Sequence, residues 1–225
     1  MCGRYTLHSE REDVEEFFDA RAEDKELFKP NYNVAPGTVN PVVLVGSNGQ
    51  REIGGLRWGL IPSWAEDEST GYKMINARAE TLAEKKSFKG PFMSKRCIIP
   101  ANGFYEWKTE QQKKQPFYIR LLTHDLLGFA GLYEKWTSPE GEDIYSYTII
   151  TTEANALVAP LHDRMPAILR HEAYAMWLNP ENKDPELLND LLKPYELTEM
   201  ATYRVSDKVN KPENNNPKLI QPIPK

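Results

Sequence analysis

Arg96-Cys97-Ile98-Ile99-Pro100-Ala101-Asn102-Gly103-Phe104-Tyr105-Glu106-Trp107-Lys108 is the stretch on which the fold turns. Its β-branched and aromatic residues, interrupted by Pro100 and Gly103, read as two short strands, Arg96–Pro100 and Gly103–Lys108. Alternation along the second strand puts Phe104 and Glu106 on one face, with Tyr105 and Trp107 on the other. Similar strands recur on both sides. Upstream lie Pro41–Gly46 and, past a tight Asn48-Gly49 turn, Arg51–Leu60. Downstream lie Phe117–Leu122, Gly128–Trp136, Ile144–Thr152 and Met200–Val205, with Ser138-Pro139-Glu140-Gly141 turning the chain between the second and third of these. Helical patterns are few. Ser9-Glu10-Arg11-Glu12 has the form of a capping box ahead of an apolar stripe of Val14, Phe17 and Phe18. Short helices are expected at His171–Leu178 and Pro185–Leu192, a turn-rich stretch at Asn31–Pro36, loop at Ile61–Tyr72, and a Pro/Asn-rich tail at Lys211–Lys225. The pattern predicts an α+β protein. Its core is compact, antiparallel, β-rich and barrel-like, with short peripheral helices, in one domain over residues 1–225.

A chain of 225 residues that is 40% hydrophobic and 27% charged can bury a sizeable core, which excludes disordered and collagen-like classes. No apolar run approaches the roughly 20 residues that span a bilayer, and the start has no apolar signal region, so the expected compartment is the cytoplasm. Cys2 and Cys97 are the two cysteines, and a reducing compartment argues against a disulfide between them. With four histidines, no CxxC and no HxxxH, no metal and no cofactor are expected. The net charge of −5 is uneven. Ser9–Phe28 carries nine acids against three bases, and the rest of the chain nets +1. A basic cleft away from the acidic helix is therefore compatible with the composition.

Four groups of residues are odd for scaffold alone. A small second residue commonly permits removal of the initiator Met, and loss of Met1 would leave Cys2 as a 1,2-aminothiol. Its α-amine, with a reference pKa of roughly 7.7–8.0, is partly unprotonated at neutral pH. Such a terminus captures an aldehyde as an imine, and the tethered thiol then closes a five-membered thiazolidine. The plainer alternative is an ordinary second residue behind a retained Met1. Glu106 stands among aromatics, where desolvation would lift its pKa into a range useful for proton transfer. It reads equally well as a carboxylate in water at a strand end. Leu161-His162-Asp163-Arg164-Met165 lies between Pro160 and Pro166, a fixed loop carrying a group that titrates near neutrality. The alternative there is a structural Asp163–Arg164 ion pair. His8, His124 and His171 lack such company and read as surface residues. Finally, Arg4, Arg57-Trp58, Trp64, Asn76-Ala77-Arg78 and Trp107 interleave cations and indoles in a way suited to single-stranded nucleic acid, although tryptophans are usually core residues and Glu80 could neutralise Arg78.

Met1–Tyr5 (MCGRY), Tyr32–Pro36 (YNVAP), Arg57–Ala65 (RWGLIPSWA), Asn76–Thr81 (NARAET), Arg96–Trp107 and His162–Pro166 (HDRMP) occur in that order. Together they closely resemble the SOS-response-associated peptidase (SRAP) family over residues 1–166. The resemblance implies a β-rich α+β domain with a positively charged DNA channel. It also implies protection of abasic sites in single-stranded DNA by covalent cross-linking through the N-terminal cysteine. It places the family's catalytic cysteine on Cys2, and its asparagine, glutamate and histidine on Asn76, Glu106 and His162. DNA contacts fall on Arg4, Asn33, Trp58, Trp64, Arg78, Trp107 and Arg164. The expected partner is single-stranded DNA with an abasic site, bound by a monomer. A cysteine peptidase using Cys2, His162 and Glu106, and a non-covalent DNA-binding module, are the alternative functions.

Overall fold

The computed structural model describes residues 2–110 and 113–224. The expected removal of Met1, and the last residue of the tail, Lys225, lie outside the described residues. In chain order the elements are β1 (Tyr5–Leu7), α1 (Arg11–Phe18), β2 (Arg21–Ala22), β3 (Asn31–Val34), β4 (Val39–Val45), β5 (Arg51–Trp58), β6 (Asn76–Arg78), α2 (Lys86–Ser94) and β7 (Arg96–Ala101). They continue with β8 (Gly103–Glu110), β9 (Lys113–Leu121), β10 (Leu127–Thr137), β11 (Asp143–Glu153), β12 (Arg164–Pro166), β13 (Ile168–Leu169), α3 (Tyr174–Leu178), α4 (Pro185–Asp190) and β14 (Met200–Arg204). The protein is α+β, as the strand spacing predicts.

Strands β4, β5, β11, β10 and β7 close on one another, because β5 pairs in parallel with β11 through Arg57↔Ser146 and Trp58↔Tyr147. This five-stranded barrel holds the main apolar core, including Val43, Ile98, Phe129, Ile149 and Trp58. A second sheet, ordered β14-β9-β8-β1-β3, packs beside it. The stretch quoted at the outset is the corner between them, since β7 belongs to the barrel and β8 to the second sheet. Asn102 pins that corner. Its Oδ1 accepts from His8 N at 2.7 Å, and its Nδ2 donates to Ser9 Oγ at 2.7 Å and Asp125 O at 2.8 Å. Gly103 follows because a Cβ there would lie 2.5 Å from both Ile119 O and Tyr118 Oη.

Several expectations need correction. The capping box does not form: α1 starts at Arg11 behind Glu10, and the Ser9 hydroxyl is engaged by Asn102. Asn31–Val34 is a strand on the edge of the second sheet and not a turn. Helix α2 was hidden by Gly90 and Pro91, yet Pro91 is tolerated inside it. Arg96 finishes both α2 and α3 by donating to the carbonyls of Phe92, Trp177 and Asn179. The tail after β14 packs on the outer face of the second sheet, where Val205, Val209 and Leu219 bury against Tyr105 and Tyr118. Among the described residues, no helix is long and apolar enough to cross a membrane.

Candidate functional site

Strand register brings the start of the chain to Glu106. In the antiparallel pair of β1 and β8, Tyr5 lies opposite Phe104 and Thr6 opposite Gly103, and Tyr105 N donates to Arg4 O at 3.0 Å. Cys2, just ahead of β1, is thereby carried to the side of Glu106 and packs in the same core cluster as Phe104. The alternation expected in β8 is observed: Phe104 joins the barrel core, while Tyr105 and Trp107 face the tail.

Cys2 has no exposed surface. Burial pushes its thiol well above the ordinary value and the nearby Glu106 carboxylate pushes further, while the Arg4 backbone N–H pulls back. Cys2 therefore holds its proton. Glu106, with 2% of its surface exposed, is pushed up to about 7, first by burial and in smaller part by the charge of Asp163. The Trp107 backbone N–H, donated to the carboxylate, opposes that rise. A protonated thiol thus lies beside a carboxyl group balanced between its two forms at neutral pH.

His162 ends the turn that links β11 to β12. That turn is fastened by Asn155, whose Oδ1 accepts from Leu157 N and Val158 N and whose Nδ2 donates to Tyr195 O. Arg164 N donates to His162 Nδ1 at 2.9 Å, which leaves the ring proton of neutral His162 on Nε2. Asp163 Oδ1 lies 2.9 Å from the same Nδ1. The two neighbours make opposite demands, because the N–H suits an unprotonated Nδ1 and the carboxylate a protonated one. Burial wins, and the pKa of His162 is lowered despite Asp163. The neutral ring is the resting form.

Strand β11 carries the remaining groups on its two edges. On one, β6 pairs through Ile149↔Asn76 and Thr151↔Arg78; on the other, β12 pairs through Glu153↔Arg164. Asn76 Nδ2 donates to Ile149 O at 3.4 Å, and its buried Oδ1 has no hydrogen-bond partner among the described residues. The Arg78 side chain is exposed, with no hydrogen bond or ion pair among the described residues. Glu80 pairs instead with Arg164, whose Nη1 and Nη2 donate to its two carboxylate oxygens at 2.8 and 2.9 Å. Arg164 also donates to Thr151 O at 2.5 Å, so its charge is already engaged and a phosphate would have to displace Glu80.

The expected DNA contacts divide. Trp64 is 50% exposed, with Lys86 Nζ 4.4 Å from its ring centroid, and fits a surface that meets a base. Trp58 does not. It is 1% exposed, stacked on Tyr147 inside the barrel, and its Nε1 donates to Ile75 O at 2.9 Å, so it is a core residue. Asn33 is likewise turned inward. Its Nδ2 donates to the carbonyls of Val209, Lys211 and Asn214, and its Oδ1 accepts from Arg4 Nη1 at 2.7 Å. Arg4 Nη1 also donates to Val209 O at 2.9 Å, and Trp107 Nε1 donates to Asn210 Oδ1 at 2.7 Å. Open clefts of about 730 and 950 Å³ lie elsewhere, one against Phe17, His124 and His171, the other against Lys113, Lys114 and Arg204.

Sequence reasoning missed a hydrogen-bonded chain under the site. Tyr5 Oη and Tyr147 Oη are 2.9 Å apart, and Asn40 Nδ2 donates to Tyr147 Oη at 3.1 Å. The Cys2 sulfur is close enough to Tyr5 to perturb its phenol. Tyr5 was visible as part of MCGRY, but nothing in the sequence marks Tyr147 or Asn40, which are ordinary strand positions until the barrel closes.

Comparison with known proteins gives one consistent result. A family model described as SOS response associated peptidase (SRAP) matches residues 1–212. The abasic site processing protein YoqW of Bacillus subtilis is 53% identical over 226 residues, covering 98% of this chain and 99% of that protein. The abasic site processing protein HMCES of Xenopus tropicalis is 36% identical, covering 89% of this chain and 68% of its own. A solved structure of a Bacteroides thetaiotaomicron protein superposes with a TM-score of 0.89 at 30% identity, covering 99% of this chain and 100% of that one.

Proposed function

The chain belongs to the SOS response associated peptidase (SRAP) family, and from that premise we propose that it processes abasic sites in single-stranded DNA by covalent capture at Cys2. One observation carries the reading: the Cys2 thiol lies beside Glu106, whose proton is poised at about pH 7. Matched similarity to proteins named for abasic-site processing supports the substrate.

The proposed sequence begins once Met1 is gone. Arg78 holds a backbone phosphate and Trp64 a neighbouring base, while Arg164 would bind a phosphate only by releasing Glu80. As the C1′–O4′ bond breaks, the Nε2–H of neutral His162 protonates O4′ while water carries the proton of the C1′ hydroxyl back to Nε2, so the hemiacetal opens to the aldehyde with no net change at the imidazole. The unprotonated Cys2 amine, oriented by Asn76 Oδ1, adds to C1′. Water leaves to give the imine, with Glu106 returning the proton the oxygen needs. The Glu106 carboxylate then takes the thiol proton as sulfur adds to C1′, and the imine nitrogen accepts a proton as the thiazolidine closes. One water is lost overall. The imine also acidifies C2′, so slow strand cleavage by β-elimination is a side reaction of the same intermediate. No base is extruded, because none is present.

Intact mass spectrometry, after denaturation, of the protein mixed with a single strand carrying one abasic site tests the reading. The expected species is the chain without Met1 joined to the strand, less one water. Cys2→Ala is expected to lose this adduct while keeping a borohydride-trappable imine. An adduct formed by protein with an uncleaved residue ahead of Cys2 would sink the aminothiol mechanism.

A further inference from the structure

The Pro/Asn-rich tail has no part in that chemistry, yet two of its consecutive residues grip the two strands that carry it. Val209 O accepts from Arg4, two residues past Cys2, and Asn210 Oδ1 accepts from Trp107, one residue past Glu106. We propose that the turn over Ser206–Asn214 is a positioning strap that holds Cys2 against Glu106 from the opposite face of the sheet. Asn33 is its buckle. Its amide reaches three strap carbonyls and the Arg4 guanidinium at once, a set of acceptors and donors that no aliphatic residue could satisfy. Asn215 ties the far side of the turn to the edge strand, accepting from Tyr32 N at 2.7 Å and donating to Pro30 O at 3.2 Å. Val209 and Leu219 anchor the strap in a separate apolar cluster with Tyr105 and Tyr118, so it has a footing of its own and is not a free end. Arg4 and Asn33 thus act on the chain start through the strap, which explains why both are turned inward.

The effect on capture rests on the reading of Cys2 given above, but the strap has a readout that needs no DNA. In the native protein, iodoacetamide reaches the buried Cys2 and Cys97 only through local opening, and peptide mass spectrometry reports each thiol separately. Asn210 is exposed, so Asn210→Ala removes the Trp107 contact without opening the core. Asn210→Ala is expected to raise Cys2 alkylation about fivefold, the loss of roughly one hydrogen bond, with Cys97 unchanged. Asn33→Ala is expected to raise it further, and Asn210→Asp, which keeps the acceptor oxygen, to restore the native rate. With abasic single strands, Asn210→Ala should slow capture at saturating DNA and leave the half-saturating concentration unchanged. Unchanged Cys2 alkylation in both alanine variants overturns the strap, as does an equal rise at Cys97. A strap effect on alkylation in a protein that captures no abasic DNA overturns the functional reading alone.

Discussion

Glu106 keeps its proton up to about pH 7 because burial disfavours the anion, against an ordinary value of 4.5. Between those two values the folded chain holds a proton that the unfolded chain has released, so stability falls as pH rises through that window. Glu106→Gln removes this linkage. Urea unfolding is expected to show the variant more stable than the parent at pH 8, by a margin on the order of 2 kcal/mol, and little changed at pH 4. Capture should move the other way. The parent's rate rises as pH passes 7, where the carboxylate becomes available as base and the Cys2 amine loses its proton, while the variant is expected to be about 100-fold slower and to keep only the rise due to the amine. Arg78→Ala is expected to weaken binding of single strands and to lower the slope of log affinity against log salt by roughly one, as for one lost phosphate contact. A loss independent of salt would assign Arg78 to folding. At this scale the sequence left Glu106 open between a buried carboxyl and one in water at a strand end, and the structure buries it. The sequence was a poor guide for Trp58 and Asn33, whose side chains look equally suited to a ligand or to a core until their partners, Ile75 and the tail carbonyls, are known.

Element by element, the strand pattern was legible wherever one face is apolar, as in β4, β5, β10 and β11. It failed at β3 and β6, where polar residues such as Asn31 and Asn76 are held in strands by neighbours distant in the chain. At the start of α1 the cap is Glu10 and not Ser9, whose hydroxyl accepts from Asn102, 93 residues away. The corner from β7 into β8 is the element on which the site depends most, since it aims Glu106 toward Cys2. A methyl group on Gly103 would meet Ile119 O, a backbone atom that cannot swing aside. Gly103→Ala is therefore expected to destabilise the fold by about 2–4 kcal/mol in chemical denaturation and to reduce capture in step with the folded fraction. A fully stable variant would show that the corner has room to relax.

Across the whole molecule, barrel closure by a parallel pair between β5 and β11 could not be read from local pattern, because 88 residues separate Trp58 from its partner Tyr147 and nothing between them signals the pairing. The same holds for the second sheet, which joins β1 near the amino end to β14 near the carboxyl end through β8 and β9. Its register sets Arg4 against Tyr105, and from there the Arg4 side chain reaches Val209. That arrangement also has a consequence for how the protein is made. On the ribosome β1 emerges well before residues 206–214, which brace it, and pairings so distant along the chain form slowly. Cys2 therefore stays less enclosed in the nascent polypeptide until those turns arrive, and its burial follows the closing of the second sheet.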